Sequence, residues 1–387
     1  MSIQNFEFYN PTRIVFGQNT IEKLNSLIPK NAKVLITIGG GSVRKNGTLA
    51  EVQKALGGRH VEIFEGIEAN PIFETLMKAV EKIRQENFDF ILGVGGGSVM
   101  DGTKFIAGAV HCKDDPWKLV LDGGKDIQQI VPFGFVLTLP ATGSEMNSNA
   151  VISRKTTEDK LPIKNELLYP VFSILDPTKT FSLPKKQVAN GIIDAFVHTT
   201  EQYLTYPVNG SIQDRFAEGI LLTLIEEGPK TYNNPEDYES RANFVWAATM
   251  ALNGLIAAGV PEDWATHMIG HELTILYGLD HGQTLAIVLP SLLEEMRQDK
   301  REKLLQYGKR VWGLTGYSDE KIIDEAIRKT REFFESFGVK TYLHEYDIDN
   351  NAAEKVIEQL KRHHMTALGE RKNITPDVSY RIVQASL

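Results

Sequence analysis

Asp194 and His198 stand four residues apart in "GIIDAFVHTTEQYL", a stretch otherwise rich in apolar residues. Positions i and i+4 share one face of a helix, so the carboxylate and the imidazole point the same way. His267 and His271 repeat this spacing in "DWATHMIGHEL", and His281 follows in "YGLDHGQTLAIVLP". A lone histidine is more often a hydrogen-bonded structural group, and Asp194 alone could be satisfied by a neighbour. A carboxylate and several imidazoles on apolar helix faces are costly to bury unless they coordinate something. Mixed nitrogen and oxygen ligands suit Fe2+, Zn2+ or a similar divalent ion. Spacing alone does not choose among the histidines, although a purely geometric choice would pair His267 with His271. Glu272 follows His271, but the H-E-x-x-H pattern of zinc proteases is absent. Cys112 is the only cysteine, which excludes an internal disulfide and argues against thiolate ligation.

A second set of residues points to phosphate. Gly39, Gly40, Gly41 and Ser42 end one apolar run, and Gly95, Gly96, Gly97 and Ser98 end another. Glycine lets a phosphate approach the backbone, and a following helix N-terminus offers free N–H groups. The same loops could be tight turns. Ser98 with Asp101 in "SVMD" reads as an N-terminal capping pair, and Thr142 with Glu145 in "TGSE" as a capping box. Two GGGS loops and "PATGSE", all at expected strand ends, favour phosphate. None fits G-x-G-x-x-G. The first loop carries no acidic residue to bind a ribose 2′-hydroxyl; it continues into Ser42, Arg44 and Lys45. If the loop lies at the adenosine ribose, that favours NADP(H) over NAD(H).

The elements that must position these residues follow from periodicity. "KVLITIGGGS", "VEIFEGI", "FDFILGVGGGS", "FGFVLTLPATGSE" and "VFSILDP" are short apolar runs alternating with helical segments such as "ETLMKAVEKIRQEN". That pattern indicates a Rossmann-like, mostly parallel sheet covered on both faces. After "LDPTKTFSLPKK" helical periodicity dominates, in "IQDRFAEGILLTLIEEG", "SRANFVWAATMALNGLIAA", "KREKLLQYGKRVWGL", "DEAIRKTREFFESFG" and "NAAEKVIEQLKRH". We therefore expect an α/β domain over 1–180 and an all-helical, metal-binding domain over 181–387, ending in a short helix. Two domains also suit a chain of 387 residues.

These motifs together resemble the iron-containing (group III) alcohol dehydrogenase family. The likeness is greatest to its NADPH-dependent butanol dehydrogenase and broad-range aldehyde reductase branch. It rests on "GGGSVMDGTKFIA", "LTLPATGSE", "VISRKTTEDK", "DAFVHTTEQY" and "GLDHGQTLAIVLP" in order, and it runs from "FYNPTRIVFG" to the C-terminal helices. The resemblance implies a dehydroquinate synthase-like two-domain architecture with the active site in the cleft between a dinucleotide-binding and a helical domain. It implies Asp194, His198, His267 and His281 as ligands of an iron or zinc ion. His271 is left unligated, for proton relay or substrate contact. It places the pyrophosphate over Gly96, Gly97 and Ser98, and Asp101 near the nicotinamide. Thr138, Thr142, Ser144, Asn149 and Lys160 are further implied cofactor contacts. NAD-using relatives carry an aspartate at about Gly40. The implied reaction is hydride transfer between NADP(H) and a small aliphatic aldehyde or primary alcohol, such as butanal or butanol. A homodimer is also implied, with "FYNPTRIVFG" as a strand that could pair across a two-fold axis.

Composition closes off other classes. The net charge of −8 without a basic stripe argues against nucleic acid. No apolar run approaches a membrane span, and "MSIQNFEFYNPTRIVFG" lacks the order of a secretory signal, so we expect a cytoplasmic protein. A dehydroquinate-synthase-like lyase needs a strongly basic pocket, yet "DWATHMIGHEL" and "GLDHGQTL" contain no Lys or Arg. Glycerol-type polyol dehydrogenases are nearer, but usually show three metal ligands. A non-enzymatic metal- or nucleotide-binding regulator would keep the loops without an open cleft. Trp264, Met268, Ile269 and Leu279 suggest a small or unbranched apolar substrate, or simply core.

Overall fold

The structure, a computed structural model, describes residues 2–387. Its residues form two compact units. The first comprises Tyr9–Leu183 together with Pro235–Thr249, and the second comprises residues up to Phe8, Pro184–Asn234 and Met250–Leu387.

The α/β unit runs β1 (Arg13–Phe16), α1 (Leu24–Leu27), β2 (Val34–Ile38), α2 (Ser42–Lys45), α3 (Thr48–Leu56), β3 (Val61–Glu65), α4 (Phe73–Glu86), β4 (Phe90–Gly96), α5 (Gly97–Ala109), α6 (Lys118–Leu121), β5 (Phe133–Leu139), β6 (Asn149–Arg154), β7 (Asp159–Lys164) and β8 (Phe172–Leu175). Six strands form one sheet in the order β1-β8-β5-β4-β2-β3. All five pairings in it are parallel. The continuous apolar runs are explained by burial of both faces. Leu35, Ile91, Phe133, Phe135 and Leu137 pack with Leu76, Val80 and Ile106 of α4 and α5. Val34, Ile36, Leu92, Val94 and Ile174 pack on the other side with Leu49, Val52 and Leu56 of α3. Expected strands and glycine loops therefore occur where periodicity puts them. The "VISRKTTEDK" motif forms a separate antiparallel hairpin, β6 with β7.

The helical unit contains α7 (Lys185–Tyr203), α8 (Ser211–Asn233), the end of α9 (Tyr238–Ala251), α10 (Ala265–Tyr277), α11 (His281–Glu295), α12 (Arg301–Arg310), α13 (Asp319–Glu335), α14 (Ala352–Arg362) and α15 (Pro376–Gln384). The helical pattern of "SRANFVWAATMALNGLIAA" does not continue to its end. α9 stops at Ala251, and Gly254 sits at φ +87, outside helical geometry. Most of α9 belongs to the α/β unit, where Val245 joins the sheet's core. There Arg241 donates from Nη1 to the Thr180 carbonyl at 2.5 Å, and Thr249 from its hydroxyl to Glu145 Oε1 at 2.5 Å. No local feature of the "SRANF" stretch reveals that attachment.

Candidate metal centre and nucleotide-binding loops

α7 is buried on every side from Val188 to Tyr203. A helix buried all round must satisfy its polar side chains internally. Several do. Thr199 donates to the Ala195 carbonyl at 2.9 Å, and Gln202 to the carbonyls of His198 and Ala251 at 2.7 and 2.8 Å. Asp194 Oδ1 is different: it is buried and accepts no hydrogen bond. Around it stand His198 Nδ1 at 3.4 Å, His267 Nε2 at 3.6 Å and His281 Nε2 at 3.6 Å. His267 Nε2 is likewise buried without a hydrogen bond. Ligands 2.0–2.1 Å from a tetrahedral ion lie about 3.3–3.4 Å apart, so these separations suit a shared divalent cation. Donor atoms of Asp194, His267 and His281 all lie within 4.8 Å of one another. His198 lies beside that set of three, its ring stacked 4.6 Å from the ring of His267. His271 is adjacent, with ring centroids 6.2 Å from His267 and 5.3 Å from His281.

Three local devices bring these side chains together. α10 starts after Trp264, which takes the left-handed φ of +65, and ends at Gly278, also left-handed at φ +69. α11 starts with a capping box: Asp280 accepts from the third residue's backbone, and its own N–H donates to Gln283 Oε1 at 3.0 Å. That box makes His281 the first residue of α11. Gly282 then packs against α7, where a Cβ would lie 2.7 Å from Asn190 Cα and 2.9 Å from its carbonyl oxygen. His281 is the most accessible of the four, its side chain 24% exposed against 4% for Asp194. The cluster is thus reached from the His281 side.

The buried carboxylates and imidazoles of the cluster perturb one another strongly. Burial alone would raise the Asp194 carboxyl, but the imidazoles of His198, His281 and His267 outweigh it and hold the group well below the usual carboxylate range. Burial would depress His267, yet the carboxylates of Glu201 and Asp194 push it up to about 9. Burial raises Glu201 itself, against the pull of His267. Glu201 was not among the residues singled out from the sequence. Its signal was present: it lies seven residues after Asp194 and three after His198, on the same face of α7. The Asp280–Gln283 capping box was equally legible. Of the apolar residues suggested for a substrate, Ile269 is fully buried core, whereas Trp264, Met268 and Leu279 are partly exposed.

In the α/β unit both GGGS loops sit at carboxyl ends of parallel strands. Gly39, Gly40 and Gly41 join β2 to Ser42 at the start of α2. A Cβ at Gly40 would meet nothing within 4 Å, so this loop borders open space. Arg44 is engaged by Glu65 of β3, Nη2 to Oε2 at 2.8 Å. The carboxylate absent from the loop itself is therefore supplied beside it by a neighbouring strand, already paired with a cation. Gly96 ends β4 and caps α5 without any side-chain cap, leaving the first turn's N–H groups for an anion. A Cβ on Gly97 would overlap Thr142 at 2.5 Å, so glycine there lets the loops after β4 and β5 close on each other.

The expected capping pairs are not what these loops use. Ser98 Oγ accepts from the Asn70 N–H at 3.2 Å. Asp101 accepts from Ser144 Oγ at 2.7 Å and from the Val151 N–H at 2.9 Å, which ties α5 to the "TGSE" loop and to β6. Thr142 Oγ1 accepts from the Ser144 N–H at 3.2 Å, but Glu145 turns inward to Thr249 instead of closing a box. In both motifs a long-range partner outcompetes the local one. Burial raises the Asp101 carboxyl, with Lys104 the strongest influence in the other direction. Lys104 is fully buried and donates to Asn147 Oδ1 at 2.9 Å and to the Asn149 carbonyl at 2.8 Å. Burial pushes its amine down to about 7, although Asp101 and Glu145 oppose this. Asn149 Oδ1 is buried with no hydrogen bond. Thr138 lies on β5, and Lys160 lies on β7, buried opposite Ser153.

A parallel α/β unit with glycine loops at its strand ends, and a helical unit with a carboxylate–imidazole cluster, define a metal-dependent nicotinamide dehydrogenase. The chain belongs to the iron-containing alcohol dehydrogenase family: residues 11–177 match the family model "Iron-containing alcohol dehydrogenase", and residues 188–381 match "Fe-containing alcohol dehydrogenase family, C-terminal". It is 58% identical to the NADPH-dependent aldehyde reductase YqhD of Escherichia coli K12, over 99% of this chain and 100% of that one. It is 37% identical to NADH-dependent butanol dehydrogenase A of Clostridium acetobutylicum, over 99% of both chains. The crystal structure of the Thermotoga maritima NADH-dependent butanol dehydrogenase A superposes with a TM-score of 0.95 at 33% identity, covering 100% of this chain and 99% of that one. Among the described residues no helix is long and apolar enough to cross a membrane.

Proposed function

We propose that this protein is an NADPH-dependent, metal-assisted alcohol dehydrogenase that reduces small aliphatic aldehydes, butanal among them, and oxidises the corresponding primary alcohols. The observation that carries this reading is the buried Asp194 Oδ1, which accepts no hydrogen bond yet has three imidazole nitrogens within 3.6 Å. Asp194, His198, His267 and His281 are the residues that would hold Fe2+ or Zn2+. When bound, the ion supplies Lewis acidity toward a carbonyl or alcohol oxygen, and NADPH supplies the hydride. Asp194 would offset one unit of the ion's charge, leaving it Lewis acidic. His271 delivers a proton from its ring to the nascent alkoxide in reduction and takes it back in oxidation.

For the nucleotide, the uncapped N-terminus of α5 at Gly96, Gly97 and Ser98 suits a pyrophosphate, and the family resemblance adds Asp101, Thr138, Thr142, Ser144, Asn149 and Lys160 as contacts. The open space at Gly40 and the 58% identical NADPH-dependent relative favour NADPH. The buried atom Asn149 Oδ1 is a ready acceptor on this side. A cytoplasmic setting fits the single cysteine. A homodimer fits β1, which is a sheet edge, and the exposed side chains of Phe6, Phe8, Tyr9 and Phe16 close to it in sequence. Sedimentation at micromolar concentration checks that part, and a monomer refutes it. The decisive test of the activity compares rates with NADPH and NADH across a short aldehyde series, on protein of measured metal content. Metal-loaded protein that oxidises neither nucleotide with any aldehyde defeats the proposal.

A further inference from the structure

We propose that Glu201 is a positioning residue of the metal centre: it fixes the tautomer of His267 and holds the helical turn that carries it. The inference rests on the metal reading above. Glu201 grips the start of α10 in three places. Its backbone carbonyl accepts from the Asp263 N–H at 2.9 Å. Its Oε1 accepts from the Thr266 N–H at 2.7 Å. Its Oε2 meets His267 Nδ1 in a short hydrogen bond. Both carboxylate oxygens are thus committed to two adjacent residues, Thr266 and His267, and the side chain is 1% exposed.

The chemistry follows from the donor and acceptor inventory. A neutral imidazole carries one N–H and one lone pair. A carboxylate accepts only, so it places the proton on Nδ1 and leaves the Nε2 lone pair free. Nε2 is the atom 3.6 Å from Asp194 Oδ1, on the metal side of the ring. Hydrogen-bonding a ligand's second nitrogen to a carboxylate also makes the ligand more basic. The grip on Thr266 answers a separate need. The first N–H groups of a helix lack internal partners, and α10 has no side-chain cap from Trp264. Asp263 Oδ1 takes the Ala265 N–H at 3.1 Å, and Glu201 takes the next one. α7 therefore supplies Asp194 and His198 directly and braces the third ligand from behind.

Glu201→Gln separates positioning from plain structural support. If the amide oxygen keeps the Thr266 N–H, the amide nitrogen faces His267 Nδ1 as a donor. The imidazole proton is then driven to Nε2, the atom the metal needs, while the helix brace survives. The test measures zinc affinity of stripped protein by competition with a chromophoric chelator. Alongside it run the thermal midpoint of the stripped protein and the downfield His267 Nδ1–H proton signal in zinc-loaded protein. Glu201→Gln should bind zinc about 10–100-fold more weakly, lose that signal and keep the wild-type midpoint. Glu201→Ala, which removes both side-chain grips, should in addition lower the midpoint. Wild-type zinc affinity in Glu201→Gln overturns the proposal, as does a weakened affinity matched by an equally weakened fold. If the wild-type protein itself takes up no zinc or iron, the metal reading fails, which is a different result.

Discussion

Gly282→Ala tests whether the packing of α11 on α7 builds the metal centre. Gly282 follows His281 directly, and its missing Cβ faces backbone. An added methyl would lie 2.7 Å from Asn190 Cα and 2.9 Å from Asn190 O. Neither atom is the end of a flexible side chain. To reach an ordinary contact of 3.4 Å, the start of α11 must withdraw from α7 by about 0.7 Å. Overpacking of this kind costs about 1–3 kcal/mol. The displaced residue next door is His281, whose Nε2 stands 3.6 Å from Asp194 Oδ1. Metal–ligand distances tolerate only about 0.2 Å, so a shift several times larger takes His281 out of the ligand set. The stripped variant should melt lower, by roughly 2–4 °C per kcal/mol lost. Its zinc affinity, measured by chelator competition, should fall at least about 10-fold, the lower end of what disturbing a ligand's support produces. Turnover at saturating NADPH should fall with metal occupancy. A Gly282→Ala protein with wild-type zinc affinity would refute the argument, because the packing would then not set the position of His281.

Further outcomes follow from the same geometry. His267→Ala and Asp194→Ala should each abolish metal binding and turnover together, checked by elemental analysis beside NADPH oxidation; activity in metal-free His267→Ala would contradict the metal reading. His271→Ala should retain the metal but lose rate, about 10²-fold or more if it carries the proton, and metal lost with it would reassign His271 as a ligand. Gly40→Asp should fold normally, since a Cβ there meets nothing within 4 Å, and should lower the ratio of kcat/KM for NADPH over NADH by placing a carboxylate where a 2′-phosphate is expected. Lys104 gives a pH prediction. Its amine titrates near 7 when folded and at its ordinary 10.5 when unfolded, so the unfolded chain binds more protons between these values. Stability owed to Lys104 therefore rises with pH through that window, by up to about 1.4 kcal/mol per unit. Urea titrations should show wild type gaining on Lys104→Met from about pH 7 to about pH 9, and parallel pH profiles would exclude the depressed amine.

Periodicity and residue type were enough to show the parallel sheet, the glycine loops at its strand ends and the helices that carry Asp194, His198 and His267, because each depends on neighbours within one or two turns. Asp194 and His198 are such a pair, and α7 carries them on one face. Other features depend on partners far along the chain. The capping readings of Ser98, Asp101, Thr142 and Glu145 were locally sound, yet Asp101 bonds Ser144 and Val151, and Glu145 bonds Thr249. A buried carboxylate takes the strongest donors that packing brings to it, whatever their separation in sequence. For the same reason most of α9 joined the α/β unit, and Glu65 came to lie beside a loop that carries no acid of its own. At the carboxylate–imidazole cluster, helical spacing alone would have paired His267 with His271. Backbone packing at Gly282 and the capping box at Asp280 bring His281 to Asp194 instead, and the Glu201 carboxylate meets the Nδ1 side of the His267 ring. The sequence by itself determined which side chains can ligate an ion. Tertiary structure decided which of them converge, because convergence depends on how close two helices approach, and that distance is set by atoms far apart in the chain.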